Sequence, residues 1–399
     1  MQSSTAEAHL PEPRSLKLVE EPPEQRDSWS LQCEAQRSYR VTLCESLLDA
    51  KAPALLDALK GRRAIVVTTR TVDQLYGARL RAALESASVA ATLVLDIREE
   101  TKSVQFVEQV CAQALAQGLD RRGVLVAFGG GVCSDVVTVA ASLIRRGIAH
   151  VRVPTTLIGQ VDAGIGLKGA VNFAGKKSFL GCFHPPEQVL IDPELLRSLP
   201  RRFLVSGLAE ALKMGIARDA RLFEVIERSA AELVATGFQT PADDASEVLQ
   251  RSIHSMLEEL GGNPFEDRTY ERLVDFGHTF SNAVEGALSF DIHHGEAVAI
   301  DLALSACIAE AIGVLGSAGC ARIIAALRSA SLPIWSRALD LDLCRGALDE
   351  ACRHRGGAMN LVIPASVGRA VFLRRRDQLP DHLLERALSD LAARAGEQR

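Results

Sequence analysis

The 399-residue chain has no long apolar run, no CxxC pair and few aromatics: Phe, Trp and Tyr make up 5%. No segment is apolar for long enough to span a bilayer as a helix, so no membrane partner is expected. The nine cysteines are scattered, which suggests neither a disulfide framework nor a cysteine zinc site. A formal net charge of −5 offers no bulk attraction for nucleic acid or an anionic membrane. The first 30 residues, "MQSSTAEAHLPEPRSLKLVEEPPEQRDSWS", lack the apolar core of a signal peptide. They read as a polar, Pro/Glu-rich disordered tail, and a cytoplasmic location is expected. The glycine turn at residues 129–131 is neither the GxGxxG dinucleotide fingerprint nor the GK[ST] of a P-loop. What remains is ordinary soluble composition, 47% hydrophobic and 24% charged, at a length that suits two domains.

From residue 31 to about 192, short apolar runs alternate with amphipathic stretches. "RAIVVTT", "ATLVLDI", "GVLVAFGGG" and "HVRVPTT" read as strands, and "TVDQLYGARLRAALESA", "KSVQFVEQVCAQALAQG" and "VVTVAASLIRRG" as the helices between them. That alternation predicts a parallel α/β sheet. Residues 193–399 read mainly as helices, through "DPELLRSLP", "VSGLAEALKMGIARDARLFEVIERSAAEL" and "ASEVLQRSIHSMLEEL". Strand-like alternation returns only in "AMNLVIPASVGRAVFL", and "ATGFQTPADDAS" reads as an exposed loop. The expected architecture is an N-terminal α/β domain and a mainly helical C-terminal domain with a cleft between them.

Three features carry chemistry. In "LVAFGGGVCSDVVTVAA", Gly129, Gly130 and Gly131 follow a strand and open a helix. Such a turn lets backbone approach a pyrophosphate, with free N–H groups at the helix start; a tight packing turn is the plain alternative. The stretch "VDFGHTFSNAVEGALSFDIHHGEAVAIDLAL" holds His278, His293 and His294 among Asp275, Glu285, Asp291 and Glu296. His278 and His294 flank a helix and a turn and offer two metal ligands; Glu210, among apolar neighbours in "GLAEALKMG", is a candidate third. Singly, each has an ordinary reading as a hydrogen-bonded histidine or a solvent-facing glutamate. Finally, Asp162, Lys168, Lys176 and Lys177 sit in the Gly-rich "PTTLIGQVDAGIGLKGAVNFAGKKSFLGCFHPP". Its lysines suit phosphate or hydroxyl oxygens, or else form a solvated basic loop.

"GGGVCSD", "RVPTTLIGQVDAGIGLK", "GLAEALKMGIARDARLFEVIE", "VDFGHTFS" and "HGEAVAIDLAL" occur in the order found in the dehydroquinate synthase-like superfamily, and the chain resembles these sugar phosphate cyclases. The resemblance implies an N-terminal Rossmann-like α/β domain that binds NAD, a mainly α-helical C-terminal metal-binding domain, and a homodimer. It implies Glu210, His278 and His294 as ligands of zinc or cobalt, with His293 only a neighbour. Gly129, Gly130, Gly131, Val132 and Asp135 would form the pyrophosphate loop. Thr155, Thr156, Asp162 and the Glu99/Lys102 pair of "REETK" would contact the cofactor. Thr69 stands where the family has an acidic ribose contact. Lys168, Lys177 and Lys213 match substrate-contacting lysines, Arg146 a phosphate-binding arginine, and Asp275 a residue that orients substrate hydroxyls.

In dehydroquinate synthase the segment before GHT supplies a lysine and an arginine to a substrate carboxylate. Here Met256 and Leu257 stand near the expected lysine, and Glu271, beside Arg272, near the expected arginine. A site without those cations binds a carboxylate poorly. "MLEEL", "VDFGHTFS", "FHPP" and "HGEAVAID" are similar instead to the branch that cyclises sedoheptulose 7-phosphate, nearest its 2-epi-5-epi-valiolone-forming group. Asn282 and Ser178 depart from that group. Asn282, near the ring being closed, leaves the 2-epi-valiolone branch open; the demethyl-4-deoxygadusol branch, the other alternative, tends to differ around these motifs. The implied reaction is transient oxidation by NAD, phosphate elimination, reduction and an intramolecular aldol closure.

Overall fold

The computed structural model describes residues 16–19, 30–33, 37–49, 53–289 and 291–396. Most of the tail expected over residues 1–30 lies outside them. At its described positions, strand β1 (Leu16–Val19) pairs antiparallel with β2 (Ser30–Cys33). The local run "LKLV" is apolar enough to make a strand inside a polar segment.

Arg40–Arg399 form one compact unit. Its sheet contains β3 (Arg40–Leu43), β4 (Ala64–Thr69), β5 (Val89–Leu95), β6 (Val124–Gly129), β7 (Ala149–Pro154) and β10 (Gln188–Ile191), with β8 (Lys168–Phe173) and β9 (Lys176–Phe183) lying outside it. The strand order is β3-β10-β7-β6-β4-β5, all parallel. The strands are continuous apolar runs, as a sheet covered on both faces requires, and alternate residues feed opposite faces. On β4, Ala64 and Val66 pack with Leu55 and Leu59 of α1 (Pro53–Leu59) and Tyr76 and Leu80 of α2 (Arg70–Ala83). Ile65 and Val67 face Val107 and Val110 of α3 (Val104–Ala116) and Val136 and Val137 of α4 (Gly131–Leu143). The chain leaves β4 first toward β5 and then, on the other side, toward β6. Parallel α/β sheets bind ligands at the carboxyl ends of strands that part in this way.

The segment read as a Gly-rich loop is an antiparallel hairpin, β8 (Lys168–Phe173) with β9 (Lys176–Phe183). Strand β9 is exposed along most of both faces, so it lacks the half-buried alternation by which strands are recognised. The helical layer holds α5 (Arg201–Ala217), α6 (Ala220–Ala235), α7 (Ala242–Gly262), α8 (Ser281–Ala287), α9 (His294–Ala311), α10 (Ser317–Ser329), α11 (Leu341–His354) and α12 (Asp381–Ala395). A hairpin of β11 (Leu361–Ser366) and β12 (Arg369–Leu373) completes it. The stretch read as one helix from Val205 breaks at Arg218–Asp219, where Asp219 caps α6 by accepting from the Arg221 and Leu222 amides. "DPELLRSLP" forms only a short 3₁₀ turn, and Phe238 of the expected exposed loop is buried. Helices α5 and α9 are buried almost all round, as helices at the centre of a helical layer must be. Among the described residues no helix is long and apolar enough to cross a membrane.

Candidate active site

The carboxyl ends of the central strands bring the first group of residues to one edge. Thr69 ends β4, Glu99 and Lys102 follow β5, Gly129–Gly131 follow β6, and Thr155 and Thr156 follow β7. The Thr155 amide donates to Gly129 O at 3.0 Å. A side chain on Gly130 would meet Thr156 Cγ2 at 2.9 Å, whereas Gly131 has nothing nearer than Ala163 Cβ at 4.0 Å. The turn is thus packed on one side and open on the other. No side chain caps α4, so its first N–H groups remain for an anion. Val132 is partly buried in the first turn of α4. Lys102, 3% exposed, bridges Asp135 at 2.7 Å and Glu99 at 3.1 Å. Burial works against its ammonium, but the two carboxylates outweigh it and raise its pKa.

Three side chains from separate elements converge next. Glu210 comes from α5, His278 from the turn before α8, and His294 from the first residue of α9. Their ligating atoms all lie within 4.8 Å of one another. Glu210 Oε1 is 3.1 Å from His294 Nε2 and 3.8 Å from His278 Nε2. Two ligands held about 2.0–2.1 Å from one tetrahedral zinc are about 3.3 Å apart, so the spacing suits such an ion. Burial alone would raise the Glu210 carboxyl, but Lys213 and the two imidazoles hold it well below the carboxylate range. Burial lowers His278. His294 is instead raised to about 9, because Glu210 and Glu285 outweigh its burial. The donor set of one anionic oxygen and two imidazoles has the chemistry of a divalent-cation site.

The surrounding groups divide. Lys213, 2% exposed, sits between Asp162 at 2.6 Å and Glu210 at 2.8 Å, and so joins the cofactor side to the ligand side. Lys177 Nζ lies 2.6 Å from Glu285 Oε2, and Glu285 Oε1 lies 2.7 Å from His294 Nδ1. Burial opposes the Glu285 charge, but His294 and Lys177 bring it down to about 2. Lys168 pairs with Glu266 and lies 5.9 Å from the Phe183 ring. Asp275 accepts from Arg272 at 2.5 Å and from Arg355 at 3.4 Å. Arg272, noted only as a neighbour of Glu271, is therefore a cation of this wall. Asn282 is exposed on α8, between His278 and Glu285, and Arg146 is exposed beyond the far end of α4, a 13-residue helix about 20 Å long.

Sequence reasoning gave no role to Glu285, although a carboxylate on a short helix between two candidate ligands was a usable signal. For Glu266 and Arg355 there was none, since they reach the site from distant parts of the chain.

The comparisons with known proteins agree with this geometry. The family model for the 3-dehydroquinate synthase N-terminal domain matches residues 92–206, and that for its C-terminal domain matches residues 207–350. A 2-epi-5-epi-valiolone synthase of Streptomyces glaucescens is 40% identical, over 89% of this chain and 91% of that protein. A 3-dehydroquinate synthase of Synechococcus is 33% identical, over 90% and 97%. The solved structure of ValA, a 2-epi-5-epi-valiolone synthase from Streptomyces hygroscopicus subsp. jinggangensis with NAD+ and Zn2+ bound, superposes with a TM-score of 0.87. It is 41% identical, with 92% of this chain and all of that one covered. With both halves of the family matched in order on one compact unit, the chain belongs to the 3-dehydroquinate synthase family.

Proposed function

We propose that the protein cyclises sedoheptulose 7-phosphate to 2-epi-5-epi-valiolone with release of phosphate. The observation that supports this reading is the convergence of Glu210, His278 and His294, linked through Lys213 to Asp162, whose neighbour Ala163 faces Gly131 of the glycine turn. The greater identity to valiolone synthases than to the 3-dehydroquinate synthase supports the choice of substrate. The Gly129–Gly131 turn, Thr155, Thr156 and the Lys102–Asp135 pair would hold NAD, and Glu210, His278 and His294 a zinc or cobalt ion. When bound, NAD supplies reversible redox chemistry at one secondary alcohol, and the cation supplies Lewis acidity at the same carbon.

The chain's own residues bind, orient and enclose. Lys213 stays protonated against Asp162 and Glu210, which raise it despite burial, so it is a fixed hydrogen-bond donor at the floor of the site. Asp275, held by two arginines, presents carboxylate oxygens in one orientation to sugar hydroxyls. Lys168 is the cation best placed to attract phosphate, because half its side chain remains accessible. The overall conversion is redox-neutral: one phosphate leaves and one carbon–carbon bond closes within the same molecule. Asp275 engages both Arg272 and Arg355, which weakens their pull on a substrate carboxylate.

A cytoplasmic homodimer completes the proposal. Incubation with sedoheptulose 7-phosphate, NAD and zinc should release phosphate, build up no NADH absorbance and give a cyclitol ketone whose configuration NMR assigns. Stoichiometric NADH would indicate a polyol dehydrogenase instead, and turnover only of the carboxylated sugar phosphate would indicate a 3-dehydroquinate synthase. Light scattering on the eluting protein tests the dimer.

A further inference from the structure

Asp301 is a buried carboxylate to which neither the ligand set nor the substrate wall assigns a role; it is 1% exposed. It lies on α9 two helical turns beyond His294, and so on the same side of the helix. Its Oδ2 accepts from the Phe280 amide at 2.5 Å and the Ser281 amide at 3.0 Å. Its Oδ1 accepts from Ser305 Oγ at 3.1 Å, which fixes the carboxylate's own rotation. The two amides open α8, which has no side-chain cap of its own.

They lie two and three residues after His278 in the chain. On the other side of His278, Gly277 has φ +75°, and a Cβ there would lie 3.0 Å from Val298 Cγ1 and Leu302 Cδ2 of α9. The turn therefore rests on the Val298 and Leu302 side chains of α9, with no side chain of its own at Gly277. His278 Nδ1 is 3.0 Å from Phe276 O, which sets the ring. Backbone before and after this imidazole is thus seated on the helix that carries the other one. A cap needs only a Ser, Thr or Asp in α8's own sequence. A carboxylate supplied from inside a neighbouring helix must be desolvated, which a cap alone does not require.

We propose that Asp301 is a positioning residue that sets the distance between the His278 and His294 imidazoles, and through it the affinity of the site for its cation. The inference rests on the metal-site reading above. It is tested on the full chain with Asp301→Asn, which keeps the shape, and Asp301→Ala. Zinc affinity is measured by competition with a chromophoric chelator, and ligand geometry by the visible absorption of the cobalt-loaded protein. The far-ultraviolet circular dichroism of the metal-free protein reports the fold.

With a native-like fold, Asp301→Asn should bind zinc about 10–100-fold more weakly, as changes just outside a ligand set generally do, and its cobalt bands should shift. A cap of purely structural value would lower the metal-free melting temperature but leave the cobalt bands in place. Folded Asp301→Asn with parental zinc affinity and an unshifted cobalt spectrum would overturn the proposal. If Asp301→Ala fails to fold, Asp301→Asn alone decides. A parent protein that takes up no zinc at all would overturn the metal-site reading itself, a result distinguishable from the failure of Asp301 alone.

Discussion

Gly295→Ala separates helix propensity from site geometry. Gly295 is the second residue of α9, next to His294, and its amide donates to Ser206 Oγ of α5 at 3.0 Å. A Cβ built on it would lie 2.0 Å from Ser206 O and 2.6 Å from Ser206 C, both backbone atoms that cannot rotate away. Real contacts begin near 3.0 Å, so α5 and α9 must separate by about 1 Å there. Propensity alone predicts a gain of about 0.5–1 kcal/mol for Gly→Ala in a helix. Overpacking costs about 1–3 kcal/mol, so the net effect should be destabilising. The separation also acts on the ligands, since Glu210 is on α5 and His294 on α9. Their 3.1 Å spacing would open past 4 Å, beyond the span of two ligands on one tetrahedral ion. Urea denaturation should show lower stability, and chelator competition at least a tenfold loss of zinc affinity. A variant as stable as the parent, with parental zinc affinity, would refute the claim that this helix contact places the ligands.

Three further outcomes follow from the same coordinates. Lys168 is pulled down to about 8, first by desolvation and then by Arg272. Its ammonium holds phosphate only when protonated, so kcat/KM, which reports the free enzyme, should fall as pH rises through about 8. Lys168→Arg should move that limb to higher pH, and an unmoved limb would clear Lys168 of the role. Glu285→Gln removes the charge between Lys177 and His294 and should weaken zinc binding about 10–100-fold by chelator competition, whereas Lys177→Met should act less strongly. Burial raises Asp301 to about 6, above its unfolded value, so its ionisation costs stability as pH rises through that range. Asp301→Asn should therefore gain on the parent between pH 4 and 7, by at most about 3 kcal/mol, in urea titrations at each pH. A constant difference across that window would contradict the sign.

The sheet was legible because its strands are continuous apolar runs whose alternate residues feed two cores, as Ala64/Val66 and Ile65/Val67 do. The ligand trio was legible because Glu210 is the one carboxylate of α5, among apolar neighbours, and because the two histidines bracket a short helix. The β8–β9 hairpin was not, since a ribbon exposed on both faces has no core to impose alternation. Lys177 illustrates the harder limit. Its type and setting pointed to substrate, yet in the fold its ammonium meets Glu285, more than 100 positions away in the chain. Arg146 matched a phosphate-binding position, but the length of α4 carries it away from the glycine turn. Pairings between distant segments such as Asp275–Arg355 depend on tertiary packing, which leaves no local trace in either segment.

X-ray absorption at the zinc edge, on protein loaded with one equivalent of zinc, tests most directly whether these three side chains share one cation. The account predicts two imidazole nitrogens and only oxygen otherwise in the first shell, at about 2.0–2.2 Å, with that signature lost in His278→Ala and in His294→Ala. Sulfur at about 2.3 Å, or an unchanged spectrum in either variant, would place the ion elsewhere and contradict it.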